Sequence, residues 1–369
     1  MLFDSLFNGS NITFPANTLC LTFDDGPGQT GCQPSAPGPQ SLELARYLAS
    51  QGVPSTFFMV GRHLQQNPGI AMEIGALGHQ IGVHTYDHFG LDDLLNRGGD
   101  VVRQMALTGA LVPGSSDVPI YFRPPYGQWT PQVAKVMNAD LPTCLGYFGP
   151  IGWDNYVAAD WEKWLNGVDP ASVADDYLAN INGAIGGRGI ILIHDCTAGW
   201  GSLRIKNRGL ALVRILVPQL KAAGFNLVRL DSIAGLVAQA ALPPAIGLNH
   251  SASGLWVSPQ NGGGGQILVN GPAPSLWERL TVVMLGSNRL ALHAPGGQYF
   301  SLQNSPNNPV RATADSIGDW EIFEVTPVVD GQVMFRGFAS GFLTVGTDTE
   351  LVCTGGIDEN SKFSFSLYQ

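Results

Sequence analysis

The sequence predicts an α/β domain followed by an all-β domain, and three observations carry this prediction. The chain has 369 residues, which makes two domains the natural expectation. Residues 40–239 alternate strand-like and helix-like segments, the pattern of a parallel sheet that is either open or closed into a barrel. Beyond residue 246 the helix signals stop and short β-rich segments take over. With about seven strands at this length, we expect a (β/α) barrel in the first domain.

The period of the apolar residues sets the elements of the first domain. Strands are expected at 19–21, 55–60, 80–83, 120–122, 143–148, 190–193 and 226–229. Helices are expected at 40–51, 68–77, 91–111, 131–137, 172–185 and 207–223. Gly98-Gly99 is a candidate break in the third of these helices, and Asp231 is expected to cap a final helix.

The β-rich region repeats itself. Gly254, Gly297 and Gly341 lie 43 and 44 residues apart, and each precedes aromatic or β-branched residues. Three such copies closing on themselves would form a β-trefoil. The stretch Asp319-Trp320-Glu321-Ile322-Phe323 resembles fascin-like trefoils. We therefore expect a catalytic domain at 1–240, a linker at 241–246 and a trefoil at 247–369, which is a candidate carbohydrate-binding module. Trp256, Tyr299 and Phe342 each follow a repeat glycine; they would be platforms for sugar rings if they face solvent, and ordinary core residues if they face inward.

Composition narrows the class of partner. A hydrophobic fraction of 44% indicates packed cores, and a net charge of −10 disfavours nucleic acid and anionic membranes. The sequence shows neither an apolar run of transmembrane length nor a signal peptide. Five cysteines form no Cys-x-x-Cys pair, Cys20 is expected to be a buried thiol, and a disulfide between Cys32 and Cys196 is a further prediction.

Two adjacent carboxylates end the first buried strand. Asp24 and Asp25 follow Leu19-Cys20-Leu21, and Gly26-Pro27 breaks the strand directly after them. Neighbours in a strand point to opposite faces, so both acids can face one site only where the strand ends. One acid can then bind a cation while the other takes a proton from water. The alternative is an ordinary Asx turn.

His84 and His88 follow the strand at 80–83 with a spacing of four residues. On one helical turn such a pair points the same way, about 6 Å apart, and can share one metal ion. With Asp25 they make a two-histidine, one-carboxylate set that leaves a coordination position open for catalysis. The alternative is two unrelated surface histidines.

Three further polar groups follow predicted strands. Arg123 can hold a carboxylate ionised, or it can be a surface cation in a stiff loop. Asp160 lies beside Trp161 and is otherwise read as a helix cap, and His194 ends the strand at 190–193 either as an acid or as a structural residue. Because all these groups lie at the C-terminal ends of strands, where parallel barrels build active sites, we expect one site.

The motifs occur in the order of the polysaccharide deacetylases, carbohydrate esterase family four. The resemblance covers residues 18–230 and implies a distorted (β/α) barrel that removes acetyl groups from sugars with a bound metal ion. It implies Asp24 as base, Asp25, His84 and His88 as metal ligands, Arg123 as the partner of Asp24, Tyr126 as a backbone donor to the oxyanion, Asp160 as a supporting carboxylate, Trp161 and Leu192 as the wall around the acetyl methyl, and His194 as acid.

Two features depart from the family pattern. The segment from Trp153 to Trp161 has one extra residue and carries Asn155-Tyr156 where a middle aspartate is expected. The loop from Gly28 to Pro39 is longer than usual. The first departure bears on the role of Asp160, and the second on the shape of the substrate cleft.

The resulting hypothesis is a secreted or cell-envelope N-deacetylase of N-acetylglucosamine polymers or oligomers, such as chitin or the glycan of peptidoglycan. It would carry one divalent ion, with zinc expected and cobalt or another divalent ion as alternatives. It would be a monomer with no nucleic-acid partner and no membrane insertion. The alternatives are an O-acetyl esterase acting on acetylxylan with the same groups, and a carbohydrate-binding protein with an inactive barrel.

Overall fold

The computed structural model describes residues 2–29, 38–113, 119–138, 140, 143, 146–155, 159–197, 205–240, 245–285, 289–303, 307–328, 332–338, 341–354 and 356–368. The chain divides into two compact units. One contains Leu2–Ala134 and Tyr147–Ala241, and the other contains Lys135–Gly146 and Leu242–Gln369. Nothing in the sequence predicts that residues 135–146 belong to the second unit. The functional limits expected at 240 and 247 stay predictions.

The first unit is built on parallel strands, as predicted. Its strands are β1 Leu2–Phe7, β2 Thr18–Asp24, β3 Thr56–Met59, β4 Gln80–Val83, β5 Ile120–Tyr121, β6 Tyr147–Ile151, β7 Gly189–His194 and β8 Asn226–Leu227. They form one sheet in the order β4-β3-β2-β7, with β8 also on β2, and a second in the order β1-β6-β5. A parallel bridge between Val83 and Phe122 joins the two sheets.

Strand β2 organises this unit. Every residue from Thr18 to Asp24 is buried, as expected for a parallel strand covered on both faces. Its register places Asp24 opposite Phe58 of β3 and opposite His194 of β7. The carboxyl ends of the three strands therefore meet at one edge, and their polar side chains are brought to the same place.

The helices of this unit are α1 Ser41–Ser50, α2 Gly61–Gln66, α3 Pro68–Ala76, α4 Leu91–Asn96, α5 Val101–Gly109, α7 Asp160–Leu165, α8 Pro170–Asn182, α9 Gly209–Ala222 and α10 Ala234–Ala240. Helix α6 Pro131–Asn138 begins in this unit and continues past its limit at Ala134. The helix expected at 91–111 is two helices. Gly98 has a φ of +75° and Asp100 caps α5 by accepting from the Arg103 N–H, so the candidate break at the paired glycines is confirmed.

Three details of the sequence interpretation were wrong or missing. The strand expected at 143–148 is displaced, because β6 runs from Tyr147 to Ile151. Asp231 caps no helix; it lies in a short 3₁₀ turn and binds Arg229 at 2.9 Å. Strand β1 had no prediction, although its pairing with β6 anchors the N-terminal segment. Strands β1 and β6 pair with each other, and tertiary pairing rather than local pattern fixes them.

The second unit is all-β, as predicted. Its strands are β9 Ala245–His250, β10 Trp256–Pro259, β11 Gly265–Gly271, β12 Leu280–Met284, β13 Arg289–His293, β14 Tyr299–Leu302, β15 Val310–Ala314, β16 Phe323–Pro327, β17 Val333–Gly337, β18 Leu343–Val345, β19 Leu351–Cys353 and β20 Phe363–Tyr368. Ten of them form one antiparallel sheet, which the β9–β10 and β13–β16 pairings close. A barrel of nine strands results, and β12 bridges β9 and β13 across it.

Trp277-Glu278 recurs 43 residues later as Trp320-Glu321, and the two glutamates have the same structural role. Glu278 accepts the Ser275 N–H at 2.9 Å, and Glu321 accepts the Gly318 N–H at 2.7 Å. Each glutamate thus reaches back three residues and satisfies the turn that precedes a strand. In the third copy Asp358 and Ser361 make the equivalent pair of bonds. The repeated glutamates stabilise turns.

Cys20 is a buried free thiol, as predicted, and burial raises its pKa far above the ordinary range. Cys32 lies outside the described residues, so its pairing with Cys196 stays a prediction. In the described part of the chain, no helix combines the length and the apolar character needed to cross a membrane.

Candidate active site

The two acids at the end of β2 face one imidazole. Nε2 of His84 lies 3.7 Å from Oδ2 of Asp24 and 3.5 Å from Oδ1 of Asp25. Asp25 has a φ of +74°, so the chain leaves the extended conformation at this residue. Both carboxylates are buried. The chain reversal at Asp25 explains how neighbouring side chains face the same site.

His84 and His88 converge, but not on a helix as expected. Neither is helical, and positive φ values of +63° at Thr85 and +61° at His88 turn the loop after β4. The ring centroids of the two histidines lie 5.0 Å apart. Nε2 of His88 lies 3.0 Å from Oδ1 of Asp25. A loop with two residues of positive φ therefore brings the two imidazoles together, where the spacing predicts a helical turn.

Asp25, His84 and His88 fit a metal ion. Their ligand atoms all lie within 4.8 Å of one another. Nδ1 of His84 lies 2.8 Å from the Arg123 carbonyl, which can only accept, so Nε2 keeps the lone pair that a metal needs. Burial lowers the pKa of His84 to about 4 despite the Asp24 charge, so its ring is neutral. Burial opposes ionisation of Asp25, yet the neighbouring histidines, His88 foremost, lower its pKa.

A fully buried guanidinium holds Asp24. Nη1 of Arg123 donates to Oδ1 of Asp24 at 2.7 Å and to the Thr22 hydroxyl at 2.8 Å. Nη2 donates to the Gly152 carbonyl at 2.8 Å, and the cation stacks 4.3 Å from the Phe58 ring. Such a partner fixes the orientation of a carboxylate.

His63 is a neighbour of the site that sequence reasoning missed. It lies buried in α2, and its Nδ1 is 2.6 Å from the carbonyl oxygen of Asp25. The bond holds the backbone at the point where the chain reverses. No motif marks His63, and only the packing of α2 against the end of β2 reveals it.

Asp160 holds His194 from behind. Its Oδ1 lies 2.7 Å from Nδ1 of His194, and its Oδ2 accepts the His194 backbone N–H at 2.9 Å. Burial by itself would lower the pKa of His194, but the Asp160 charge and hydrogen bond raise it to about 10. The imidazole is therefore a proton donor at neutral pH, and Nε2 is the nitrogen left to face the site.

Asp154 and Asn155, in the segment that departs from the family pattern, bind the backbone of β7. Asn155 accepts the Leu192 N–H at 2.7 Å and donates to the Leu192 carbonyl at 3.0 Å. Asp154 accepts the Ile190 N–H at 2.8 Å and the Gly9 N–H at 2.9 Å. The Asn155 side chain thus pairs with the backbone of β7 as a neighbouring strand would. An amide can do this because it has both a donor and an acceptor, whereas a carboxylate only accepts.

The three expected substrate contacts surround the site. Trp161 is 42% exposed and lines a cavity of 320 Å³ together with Leu192 and His194. Tyr126 is 63% exposed, and its ring lies 4.7 Å from the ring of His88. The φ of Tyr126 is +60°, which turns the backbone directly after Pro124-Pro125.

One buried acid beside the site had no prediction. Burial raises the pKa of Asp195 to about 7. Its carboxyl packs against Gly26, where an added Cβ would lie 2.4 Å from Oδ2. Gly26 is therefore required by close approach, and Asp195 fills the space behind the Asp25 loop.

A carboxylate next to a two-histidine, one-carboxylate set, with an imidazole on the adjoining strand, defines a hydrolytic site. The polysaccharide deacetylase family profile matches residues 11–140. A chitooligosaccharide deacetylase of Azorhizobium caulinodans is 31% identical over 231 residues, which are 60% of this chain and 97% of that protein. One of Rhizobium leguminosarum bv. trifolii is 30% identical over 217 residues, 57% and 88% of the two chains.

A peptidoglycan N-acetylglucosamine deacetylase of Listeria monocytogenes is 29% identical over 218 residues, 59% of this chain and 39% of that protein. A solved peptidoglycan deacetylase from Bacillus subtilis has a TM-score of 0.44 at 22% identity, covering 61% of this chain and 93% of its own. From the sequence relatives, the chain belongs to the polysaccharide deacetylase family. It is a hydrolase acting on carbon–nitrogen amide bonds.

Proposed function

We propose that this enzyme is a metal-dependent deacetylase that removes N-acetyl groups from N-acetylglucosamine-containing poly- or oligosaccharides. The observation that carries the proposal is the meeting of Asp24, held by Arg123 at 2.7 Å, with the Asp25, His84 and His88 group. Similarity to deacetylases named for chitooligosaccharide and peptidoglycan supports this class of substrate.

Asp25, His84 and His88 would hold one divalent ion, for which zinc suits two imidazoles and a carboxylate. When bound, the ion supplies Lewis-acid polarisation of a carbonyl and lowers the pKa of water. Asp24 is the base in this proposal. It takes a proton from the water that attacks the acetamide carbon, and Arg123 holds its carboxylate in position at 2.7 Å.

His194 is the acid in this proposal. As the carbon–nitrogen bond breaks, its Nε2 gives a proton to the departing nitrogen, so acetate and a free amino sugar leave. Asp160 holds Nδ1 of the ring at 2.7 Å and stabilises the charged imidazole. The Tyr126 backbone N–H would donate to the oxyanion, and Trp161 and Leu192 would enclose the acetyl methyl.

Acetate release from three substrates tests the function. The zinc-loaded enzyme should release acetate from chitooligosaccharides or peptidoglycan glycan and much less from acetylxylan. Loss of His194 should hurt amide cleavage more than ester cleavage, because an amine needs protonation to depart and an alkoxide needs less help. Preferential turnover of acetylxylan would instead identify an O-acetyl esterase.

We also infer finer architecture. The parallel sheets would close as a distorted barrel, because Asp154 and Asn155, which follow β6, bind the backbone of β7 through their side chains. Six strands of the second unit pair in a closed ring, in the order β9, β12, β13, β16, β17 and β20. The hairpins β10–β11, β14–β15 and β18–β19 occupy equivalent positions in the three sequence repeats. This arrangement supports a β-trefoil.

The second unit would bind glycan weakly. The enzyme would be secreted or part of the cell envelope, and it would work as a monomer. Trp256, Tyr299 and Phe342 lie at equivalent starts of the three hairpins, and all three are half-buried. Aromatic rings with one free face suit sugar rings. Replacing all three by alanine should reduce retention on insoluble chitin or cell-wall particles and leave hydrolysis of soluble oligomers unchanged. Unchanged retention would count against glycan binding.

A further inference from the structure

Helix α5 buries a polar side chain on its packed face. Its buried positions include Val101, Gln104, Met105 and Thr108, which follow the i, i+3, i+4, i+7 spacing of one helix face. Gln104 is only 7% exposed. A buried amide costs free energy unless its donor and acceptor groups are bonded. The hydrogen-bond partners of Gln104 therefore show what this polar position does.

The side-chain bonds of Gln104 lead to the loop between the two candidate metal-binding histidines. Its Oε1 accepts the Tyr86 N–H at 3.1 Å and the Asp87 N–H at 2.8 Å. Its Nε2 donates to Oδ2 of Asp87 at 3.1 Å. Backbone N–H groups can only donate, so they fix the orientation of the amide. One side chain thus bonds two consecutive residues between His84 and His88.

The conformation of this loop needs support from its surroundings. Thr85 and His88 have φ values of +63° and +61°, a region that non-glycine residues occupy at a cost in free energy. The Thr85 hydroxyl accepts the His88 N–H at 3.2 Å. The carbonyls of Thr85 and Tyr86 accept the N–H groups of Gly61 and Arg62 at 2.9 and 3.1 Å. Helix α2 therefore binds carbonyl groups of the loop, and Gln104 of α5 binds its N–H groups.

We propose that Gln104 is a positioning residue for the metal centre, and that it holds the loop after β4 in the conformation that brings the imidazoles of His84 and His88 together. The inference rests on the proposed function and deepens it by adding a residue that acts through the loop backbone. Without Gln104, the metal-free loop would relax to conformations in which the two imidazoles lie apart. The apparent zinc affinity then falls in proportion to the fraction of molecules that can still bind.

Asp87 explains why position 104 carries glutamine and not glutamate. A glutamate could accept both N–H groups, but its second oxygen would face Oδ2 of Asp87, with no donor at this contact. Exchanging the two functions, Gln104→Glu together with Asp87→Asn, returns one donor and one acceptor to the contact. This exchange variant separates the pattern of bonds from the identity of either residue.

Zinc titration calorimetry of the full chain tests the positioning role. Gln104→Ala should raise the Kd for zinc about tenfold, at the low end of the range for an outer partner of a metal ligand. At saturating zinc, kcat for acetate release should stay within about twofold of wild type, because bound metal selects the competent loop. Hydrogen exchange at the Tyr86 and Asp87 amides should be faster in the metal-free variant, and zinc should return it to the wild-type rate.

Three further variants make this test specific. Gln104→Glu should raise the Kd as Gln104→Ala does, and the exchange variant should return the Kd to the wild-type value. Gln65→Ala is the matched control, because Gln65 bonds the hydroxyl of Tyr86, at 2.6 Å, on the same loop. Its Kd should equal that of the wild type. Urea denaturation identifies the folded variants, and if Gln104→Ala does not fold, Gln104→Glu and the exchange variant decide in the same way.

Three results would overturn the inference. Equal zinc affinity of the wild type and of folded Gln104→Ala or Gln104→Glu would reject the positioning role and leave the proposed function standing. An exchange variant that binds zinc as weakly as Gln104→Glu would reject the assigned pattern of bonds. A wild type that binds no zinc would reject the proposed metal centre, and the positioning role with it.

Discussion

Asp160 binds His194 twice, through Nδ1 at 2.7 Å and through the backbone N–H at 2.9 Å. Both groups are donors, so both carboxylate oxygens are used as acceptors. The pair fixes the ring on the end of β7, beside Asp24 on β2. This relationship gives Asp160, whose motif is irregular, a defined structural task.

Asp160→Asn should lower kcat by about 10²–10⁴-fold, the range that general acid–base catalysis contributes. An amide offers only one acceptor oxygen to two donors, so the ring loses its orientation. Acetate release measures the effect, and zinc affinity by calorimetry should stay unchanged. Asp176→Asn, which breaks an exposed pair with Lys163, is the matched control.

The double variant Asp160→Asn, His194→Gln separates positioning from a general loss of structure. Groups that act as a unit are non-additive, so the double variant should be no slower than His194→Gln alone. Multiplicative losses would mean that Asp160 acts independently of His194.

The metal centre should be sensitive to His63, which contacts the backbone of Asp25. His84→Ala should abolish stoichiometric zinc binding, because it removes a ligand. His63→Ala should weaken binding by about 10–100-fold, as loss of an outer partner of a ligand typically does, since it frees the Asp25 carbonyl. Titration calorimetry measures both. Equal affinity of His63→Ala and the wild type would contradict the positioning role.

His79 should make the first unit less stable in acid. Its Nδ1 accepts the Ser55 N–H at 3.1 Å while Nε2 donates to the Ala45 carbonyl at 2.9 Å, so a second ring proton would face a donor. Burial, aided by the Arg229 charge, lowers its pKa below the ordinary 6.5. The unfolded chain therefore takes up a proton first as pH falls below about 6.5, and the free energy of unfolding declines there.

Urea denaturation between pH 5 and 8 measures this effect. Wild-type stability should fall more steeply with acid than that of His79→Gln, by at most about 1.4 kcal/mol per pH unit. Transitions of the second unit serve as the internal control, since His79 is not part of it. Parallel curves for the two proteins would show that another group carries the acid sensitivity.

The sequence was sufficient for groups that sit at strand ends. Parallel strands share one carboxyl edge, so Asp24, His84, Arg123 and His194 could be expected together from local patterns alone. His63 escaped prediction because its contact depends on where α2 packs, and helix packing has no sequence motif of its own.

Loop conformation was the other limit. A four-residue spacing suggests a helical turn, yet Thr85 and His88 both adopt positive φ, which non-glycine residues rarely do. Only the surrounding structure can hold such strain. The role of Asn155 could not be predicted from the sequence either, because it depends on bonds to Leu192 of β7, which is distant in sequence.

The most direct measurement compares wild type with Asp24→Asn after zinc loading, recording bound zinc per chain and acetate released from a chitooligosaccharide or from peptidoglycan glycan. Asparagine keeps the size of Asp24 but cannot accept the proton. We expect one zinc in each protein and a loss of about 10²–10⁴-fold in acetate release from the variant. Near-normal turnover by Asp24→Asn, or wild-type protein that binds no zinc among Asp25, His84 and His88, would contradict it.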